Sequence, residues 1–337
     1  MSATKSAALP RTGPRIDFAV GGQAVIEGVM MRSPNHITVA VRKTNGNVTV
    51  KEEGFRSIAA KLKFLGLPLV RGVVNLFEMM IVGMRMLNFS ANVAMDEEET
   101  DESKATKFQK VMMIVSFAFS VIFALGMSLF MFKFIPLWIT DYLSKSFAVL
   151  RENYLAFNLT DGVIKTVFFV AYIGLIGLMP SLRRVFQYHG AEHKSIYTYE
   201  NGLDLTVENA RRQTRFHPRC GTSFILVVFL ISIFVYTFVP RQEDFFLNFF
   251  VRVLFLPLIA GISYEFLKWS ARRQGSAIVR IMTAPGLMFQ RLTTREPEDD
   301  QLEVALTALR QALALEAKLT PAKQKVELTV GGWKTVF

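Results

Sequence analysis

Four mostly apolar stretches approach the roughly 20 residues that cross a bilayer as a helix. They run about Val111 to Phe132, Val163 to Pro180, Thr222 to Val239 and Phe245 to Leu267. The first and third carry no charge, the second holds Lys165, and the fourth holds Arg252 and Glu265 towards its two ends, where snorkelling is expected. Four crossings put both chain ends on one side. Basic residues say which side. The segment between the second and third stretches carries Arg183, Arg184, Lys194, Arg211, Arg212, Arg215 and Arg219, whereas the loop between the third and fourth holds only Arg241. The long segment is therefore expected inside, together with both termini, which are flanked by Lys104, Lys107 and Lys110 and by Lys268, Arg272, Arg273 and Arg280. The loop from Lys133 to Asp161 then falls outside, despite Lys133, Lys145 and Arg151.

Ahead of the first crossing the period changes. Residues 17–66 read as a cytosolic β segment, in which Ile37 to Arg42 and Val48 to Val50 flank Asn45-Gly46, the dipeptide of a tight hairpin. Residues 67–95 are nearly as apolar as a crossing but place Arg71, Asn75, Glu78, Arg85, Asn88 and Asn92 on one helical stripe. An amphipathic interfacial or re-entrant helix is predicted, its stripe meeting water, headgroups or a polar cavity between crossings. Residues 96–110 form an acidic then basic linker. In the C-terminal segment 269–337, Leu302, Leu306, Leu309 and Leu313 recur at helical spacing after the acidic Glu296 to Asp300. That helix needs a cover, either the rest of the cytosolic part or another chain.

Composition agrees with a membrane protein. Of 337 residues 51% are hydrophobic and 20% charged, and 30 are Phe; the mean hydropathy is +0.30. Disordered and fibrous classes are excluded. The net charge of +11 suits nucleic acid or an anionic membrane face, and the apolar runs, with no aromatics interleaved among the basic residues, favour the membrane over nucleic acid. Residues 1–16 read as a disordered lead without the apolar core of a cleaved signal. The single cysteine, Cys220, makes no internal disulfide and is free, metal-bound or paired with another chain.

Three of the four histidines fall in the segment 181–221. In Tyr188-His189-Gly190-Ala191-Glu192-His193-Lys194, a helix sets His189 and His193 one turn apart on one face with Glu192 beside them. This H-x-x-E-H spacing suits two zinc ligands and a general base. His217-Pro218-Arg219-Cys220 adds an imidazole and a thiol. All four donors together would close a structural tetrahedral site; three, or a looser set with Glu208 in place of one, would leave a position open for catalysis. The bland alternative is a group of headgroup-region side chains beyond a crossing, with Cys220 merely packed. His36 reads as a surface or structural histidine. In Gly21 to Arg32 the glycines match no phosphate-binding motif; they permit a closely approached backbone presenting Glu27 and Arg32, or a buried strand with an ordinary salt bridge.

Four motifs, GGQAVIEGVMMR at 21–32, YHGAEHK at 188–194, HPRCGTSF at 217–224 and EPEDDQLEVA at 296–305, mark a resemblance across nearly the whole chain. The sequence resembles the YqhQ-like family of uncharacterised bacterial membrane proteins, labelled predicted metal-dependent enzymes. The resemblance implies that Glu27, Arg32, His189, Glu192, His193, His217 and Cys220 belong to shared motifs, without assigning their roles.

The expected protein is a mainly α-helical, multi-pass bacterial inner-membrane protein. It has four transmembrane helices and a small cytosolic α+β part with an N-terminal β-hairpin, its termini are cytosolic, and lipid is its partner. The leading function is a metal-dependent hydrolase at the cytosolic surface. His189 and His193 bind a divalent transition metal of the zinc type, His217 or Cys220 completes the set, and Glu192 is the general base on water. Lys194, Arg219 or Arg32 stabilises developing negative charge. The alternatives are a non-enzymatic scaffold or assembly factor with a structural metal, docking a partner or a second copy through the C-terminal helix, and, last, a transporter.

Overall fold

The computed structural model describes residues 20–96, 106–271, 273 and 276–319. The lead at 1–16, the acidic run beyond Asp96 and residues 320–337 lie outside the described residues.

Strands β1 (Gly21–Val25), β2 (Gly28–Arg32), β3 (His36–Arg42) and β4 (Val48–Gly54) form an antiparallel meander in chain order. Gly46 takes φ +86° in the β3–β4 turn, as its dipeptide predicts. The expected hairpin is thus half of a four-stranded sheet. Its first turn, Ile26-Glu27, has Glu27 at φ +50°. Gly28 follows because a Cβ there would lie 2.3 Å from the Ala40 carbonyl oxygen. The centres of β2 and β3 are buried on both faces, which is why GVMMR reads as an apolar run rather than an alternation.

The helices are α1 (Ile58–Lys61), α2 (Val70–Ala94), α3 (Lys107–Leu129), α4 (Ile135–Ser146), α5 (Ala148–Glu152), α6 (Tyr154–Ile176), α7 (Pro180–Glu200), α8 (Val207–Arg211), α9 (Gly221–Tyr236), α10 (Phe245–Leu254), α11 (Leu256–Ala271), α12 (Ala277–Thr293) and α13 (Asp299–Leu319). One sheet face, with Val29, Met31 and Ala40, packs on Tyr188 and Ala191 of α7 and on Leu302, Leu306 and Leu309 of α13. The other, with Val25, Met30, Val39 and Val41, packs on Val82, Met86 and Val93 of α2. The apolar face of the C-terminal helix is therefore covered by the chain's own sheet and α7, and the Thr38 hydroxyl donates to the Ala308 carbonyl across the seam at 2.8 Å. Docking of a partner through that face is not what the fold shows.

Among the described residues three helical stretches, Val111–Ser146, Tyr154–Ile176 and Phe245–Ser270, are long and apolar enough to cross a membrane. The expected third crossing corresponds to the shorter α9, whose apolar part is Phe224–Tyr236. Two boundaries differ from the sequence expectation because of buried charge. The first stretch continues through a π-helical turn at Phe130–Phe134 into α4, burying Lys133. The second begins at Tyr154 rather than Val163, because Asp161 accepts from Arg252 at 3.0 Å and from Lys165 at 3.1 Å inside the bundle. Arg252 does not snorkel: it is 1% exposed and also donates to Asn158 and Asn248. The helix breaks at Phe255, between α10 and α11, two residues ahead of Pro257, which has no N–H for the carbonyl four residues back.

The polar stripe of α2 meets protein over its first half. Arg71 forms a bidentate pair with Glu265 of α11, Asn75 donates to the Tyr264 hydroxyl at 2.9 Å, and Glu78 accepts from Ser57 and from the Ile58 N–H. Arg85 lies 3.6 Å from Glu53. On the outer side Leu76, Phe77, Ile81 and Leu87 are exposed.

Candidate metal centre

Helix α7 starts directly beyond the crossing that ends at Ile176, with Pro180 at a helix-opening position where its missing N–H costs nothing. From Tyr188 to Ile196 every residue is buried, because β1, β2, α8 and α13 close around it. The close fit at Gly190 has a backbone cause: a Cβ there would sit 2.1 Å from the Arg295 carbonyl oxygen. With helical pitch the rings of His189 and His193 meet edge to face one turn apart, centroids 4.4 Å from each other.

Each ring is oriented by a main-chain acceptor. His189 Nδ1 lies 2.8 Å from the Thr293 carbonyl at the end of α12, and His193 Nδ1 lies 2.5 Å from the Arg215 carbonyl. Donation through Nδ1 leaves both Nε2 atoms as lone-pair donors, the arrangement found behind metal-ligating histidines. His189 Nε2 faces Cys220 Sγ at 3.2 Å, and the Nε2 of His193 is buried with no hydrogen-bond partner. One ligand atom from each of His189, His193 and Cys220 falls within a 4.8 Å set. Cys220 caps α9 and accepts from the Thr222 N–H at 3.4 Å, so negative charge on its sulfur sits at the favourable end of that helix. Two imidazoles and a thiol fit a zinc-type ion, and the orphaned nitrogen is the observation that favours one.

Glu192 joins from the same helix. Its Oε2 is 3.9 Å from His189 Nε2 and 3.7 Å from His193 Nε2. Burial pushes its carboxyl above the usual carboxylate range, opposed by His189, His217 and a hydrogen bond from the Gly22 N–H. Burial lowers His193, with a contact to Cys220 working against it. His193 is therefore neutral, the form that ligates, and its contact with Glu192 is not an ion pair. Gly22 of the edge strand β1 is where a side chain has no room: a Cβ would lie 2.6 Å from Glu192 Cγ and 2.7 Å from its Oε1. Beyond Glu192 a cavity of about 500 Å³ opens, lined by the β1 backbone, Arg32, Phe186, His217, Arg219 and Thr222 among others.

A family model described as a protein of unknown function (DUF1385) matches residues 67–315. The chain belongs to this family. The uncharacterized protein YqhQ of Bacillus subtilis (strain 168) is 35% identical over 319 residues, which are 92% of this chain and 97% of that protein. No solved structure matches significantly. The DUF1385 match takes in α2 through most of α13, and so His189, His193 and Cys220 of the candidate metal centre.

The remaining expected site residues of this DUF1385 member are placed differently. His217 stands 5.6 Å, ring to ring, from His193, but its Nδ1 accepts from the Arg219 N–H and its Nε2 lies 3.3 Å from Glu200. Both nitrogens are thus engaged; burial lowers it to about 4, so it is a neutral wall of the cavity. Glu208 is exposed and pairs with Arg212 on α8. Lys194 turns away from the cavity to the Arg211 carbonyl and Glu296. Glu27 forms a bidentate pair with Arg184 and accepts from the Tyr188 hydroxyl, a salt bridge that fastens the first turn of the sheet to α7. Arg219 lines the cavity while paired with Glu200, and His36 lies 3.3 Å from Glu316. Sequence reading missed Gln290, whose amide exchanges two 2.7 Å bonds with the His217 backbone and so ties the Cys220 loop to α12. It also missed Glu296, which bridges Lys194 and Arg215.

Proposed function

We propose that the protein is a four-crossing membrane hydrolase that holds one zinc-type ion on His189, His193 and Cys220 at the cytosolic end of its helices. The observation that carries this is the convergence of two imidazole Nε2 atoms, each fixed by a main-chain carbonyl, on one sulfur, with one of those nitrogens buried and unpartnered. When bound, such an ion supplies Lewis-acid polarisation and an activated water. Glu192, raised by burial and within 4 Å of both rings, is the group placed to take up a proton from a water beside these donors and would return it to the leaving group. The edge strand shields one side of the site, and Phe186 and Val185 exclude bulk water on another.

The topology is supported by where the ends meet. The N-terminal sheet packs on α13, so both lie on one side and the crossings between them are even in number. Three long stretches plus α9 satisfy this, and α9 packs inside the bundle through Val235 and Tyr236 against Ile259. The basic residues of 181–219 favour the cytosol for that side.

Metal analysis of the purified full-length protein tests the reading. One equivalent of zinc is expected in wild type, with loss in His189→Ala and Cys220→Ser. Glu192→Gln is expected to keep the metal but lose hydrolysis across a panel of ester, phosphoester and peptide substrates. Wild-type protein that takes up no transition metal would remove the centre. Full hydrolysis by Glu192→Gln would leave the ion a structural one.

A further inference from the structure

The metal donors occupy one region of the cavity, and a different chemistry lines another. Arg32 closes β2, and because Met31 faces α7 and α13, its neighbour turns to the α2 side of the sheet. There its guanidinium lies 4.4 Å from the centroid of the Phe55 ring, and NH1 contacts Met79 Sδ at 3.0 Å. The carboxylate acting on it most strongly is Glu78, but Glu78 is occupied by the Ser57 hydroxyl and the Ile58 N–H. Among the described residues no carboxylate lies within ion-pair distance of Arg32, which sets it apart from Arg71, Arg184, Arg219 and Arg252. Arg32 is among the residues that line the cavity.

Between Arg32 and the metal donors the walls include Val20, Ala24, Val185, Phe186 and Ile196. The site also adjoins apolar helix ends: Val185 and Phe186 lie in the second turn of α7, which follows the apolar stretch ending at Ile176, and Thr222 is in the first turn of apolar α9. An aromatic-stacked guanidinium without a carboxylate, an apolar wall and a place beside apolar helix ends share one complement. A volume of about 500 Å³ is in the range of small-molecule sites.

We propose that the cavity binds a phosphate-headed molecule with an apolar body, the phosphate on Arg32 and the apolar part along the β1 and α7 walls. A guanidinium fork matches phosphate oxygens bidentately, and stacking on Phe55 holds its plane. In the hydrolase reading, on which this second half rests, the metal end acts on a bond remote from the phosphate. The anchor itself does not depend on the ion.

The test uses full-length protein in detergent, titrated calorimetrically with dioctanoyl phosphatidic acid, dioctanoylglycerol and inorganic phosphate. Wild type is expected to prefer the phosphatidic acid to its neutral counterpart by at least about tenfold. Arg32→Gln is expected to lose that preference while its metal content stays at the wild-type level, and Arg32→Lys to fall between. Competition by inorganic phosphate, dependent on Arg32, supports the same anchor with a soluble source; no competition assigns the lipid. A wild type that binds anionic and neutral probes alike overturns the proposal even if Arg32→Gln does not fold, and unchanged selectivity in a folded Arg32→Gln does the same. The two readings fail separately. His189→Ala that loses metal but keeps the preference leaves the anchor standing, and so does a wild type that proves free of metal but selective.

Discussion

Replacing Gly190 by alanine probes how the metal centre is held. The added Cβ would sit 2.1 Å from the Arg295 carbonyl oxygen, against about 3.4 Å for ordinary contact, so α7 and the segment after α12 must separate by about 1.3 Å. Neither partner is a flexible side-chain tip: one is the middle of a buried helix and the other is backbone held by the Arg295 N–H to Phe186 carbonyl bond of 2.8 Å. Overpacking of this kind costs about 1–3 kcal/mol, which for a chain of this size lowers the melting temperature by roughly 1–4 °C. The same separation pulls on the 2.8 Å contact from His189 Nδ1 to the Thr293 carbonyl, and loss of such an orienting bond weakens metal binding by about 10–100-fold. Gly174→Ala is the matched control, since a Cβ there meets nothing within 4 Å; helix propensity alone predicts no loss and a gain of up to about 1 kcal/mol. The measurements are thermal unfolding in detergent and zinc affinity by chelator competition. Equal melting temperatures and equal affinities for the two variants would refute the packing argument.

Three further outcomes follow from individual contacts. Gly22→Ala pushes on the Glu192 carboxyl, with a Cβ 2.6 Å from its Cγ, so hydrolysis should fall about 100-fold while metal content, read by mass spectrometry, stays constant. Asp161→Asn leaves Arg252 and Lys165 without their carboxylate inside the bundle; a loss of about 3–5 kcal/mol is expected, partly recovered by adding Arg252→Gln, in thermal unfolding measurements. Burial opposes ionisation of Glu316, yet hydrogen bonds from Asn35, Ser33 and His36 hold its carboxyl below the usual range. Its stabilisation is therefore full above the ordinary glutamate value of about 4.3 and lost as pH falls through the lower folded value. The acid limb of a stability profile below pH 4.3 should flatten in Glu316→Gln.

Much of the fold is legible in the sequence where one face of an element is polar. The β3–β4 hairpin shows through its turn dipeptide, and α13 through its leucines. Legibility fails where an element is covered on both sides or where charge is buried. β2 is sandwiched between α13 and α2, so its run of apolar residues carries no period. Lys133, Asp161 and Arg252 look like the ends of crossings because charges usually seek water, but here they face one another. The charge count was also doing two things at once. Several of the basic residues that orient the chain also clamp the acidic 296–300 segment, as Arg211 does with Asp299 and Arg215 with Glu296.

The metal centre divides along the same line between local and long-range information. His189, Glu192 and His193 are legible because helical pitch alone fixes which side chains of α7 share a face. Cys220 caps another helix, and only the tertiary fold brings its sulfur to His189 Nε2. The parts that aim the imidazoles are the carbonyl oxygens of Thr293 and Arg215, main-chain atoms that leave no mark on residue identity. Gly22 does leave one: a glycine in an edge strand means something passes close by, and here it is the Glu192 carboxyl. Glu27 and Arg32 are joined as a pair only by nearness in sequence. Five strand residues span roughly 17 Å, so the first is free to fasten the sheet's turn to α7 while the second, at the far end of β2, stays without a carboxylate beside the cavity.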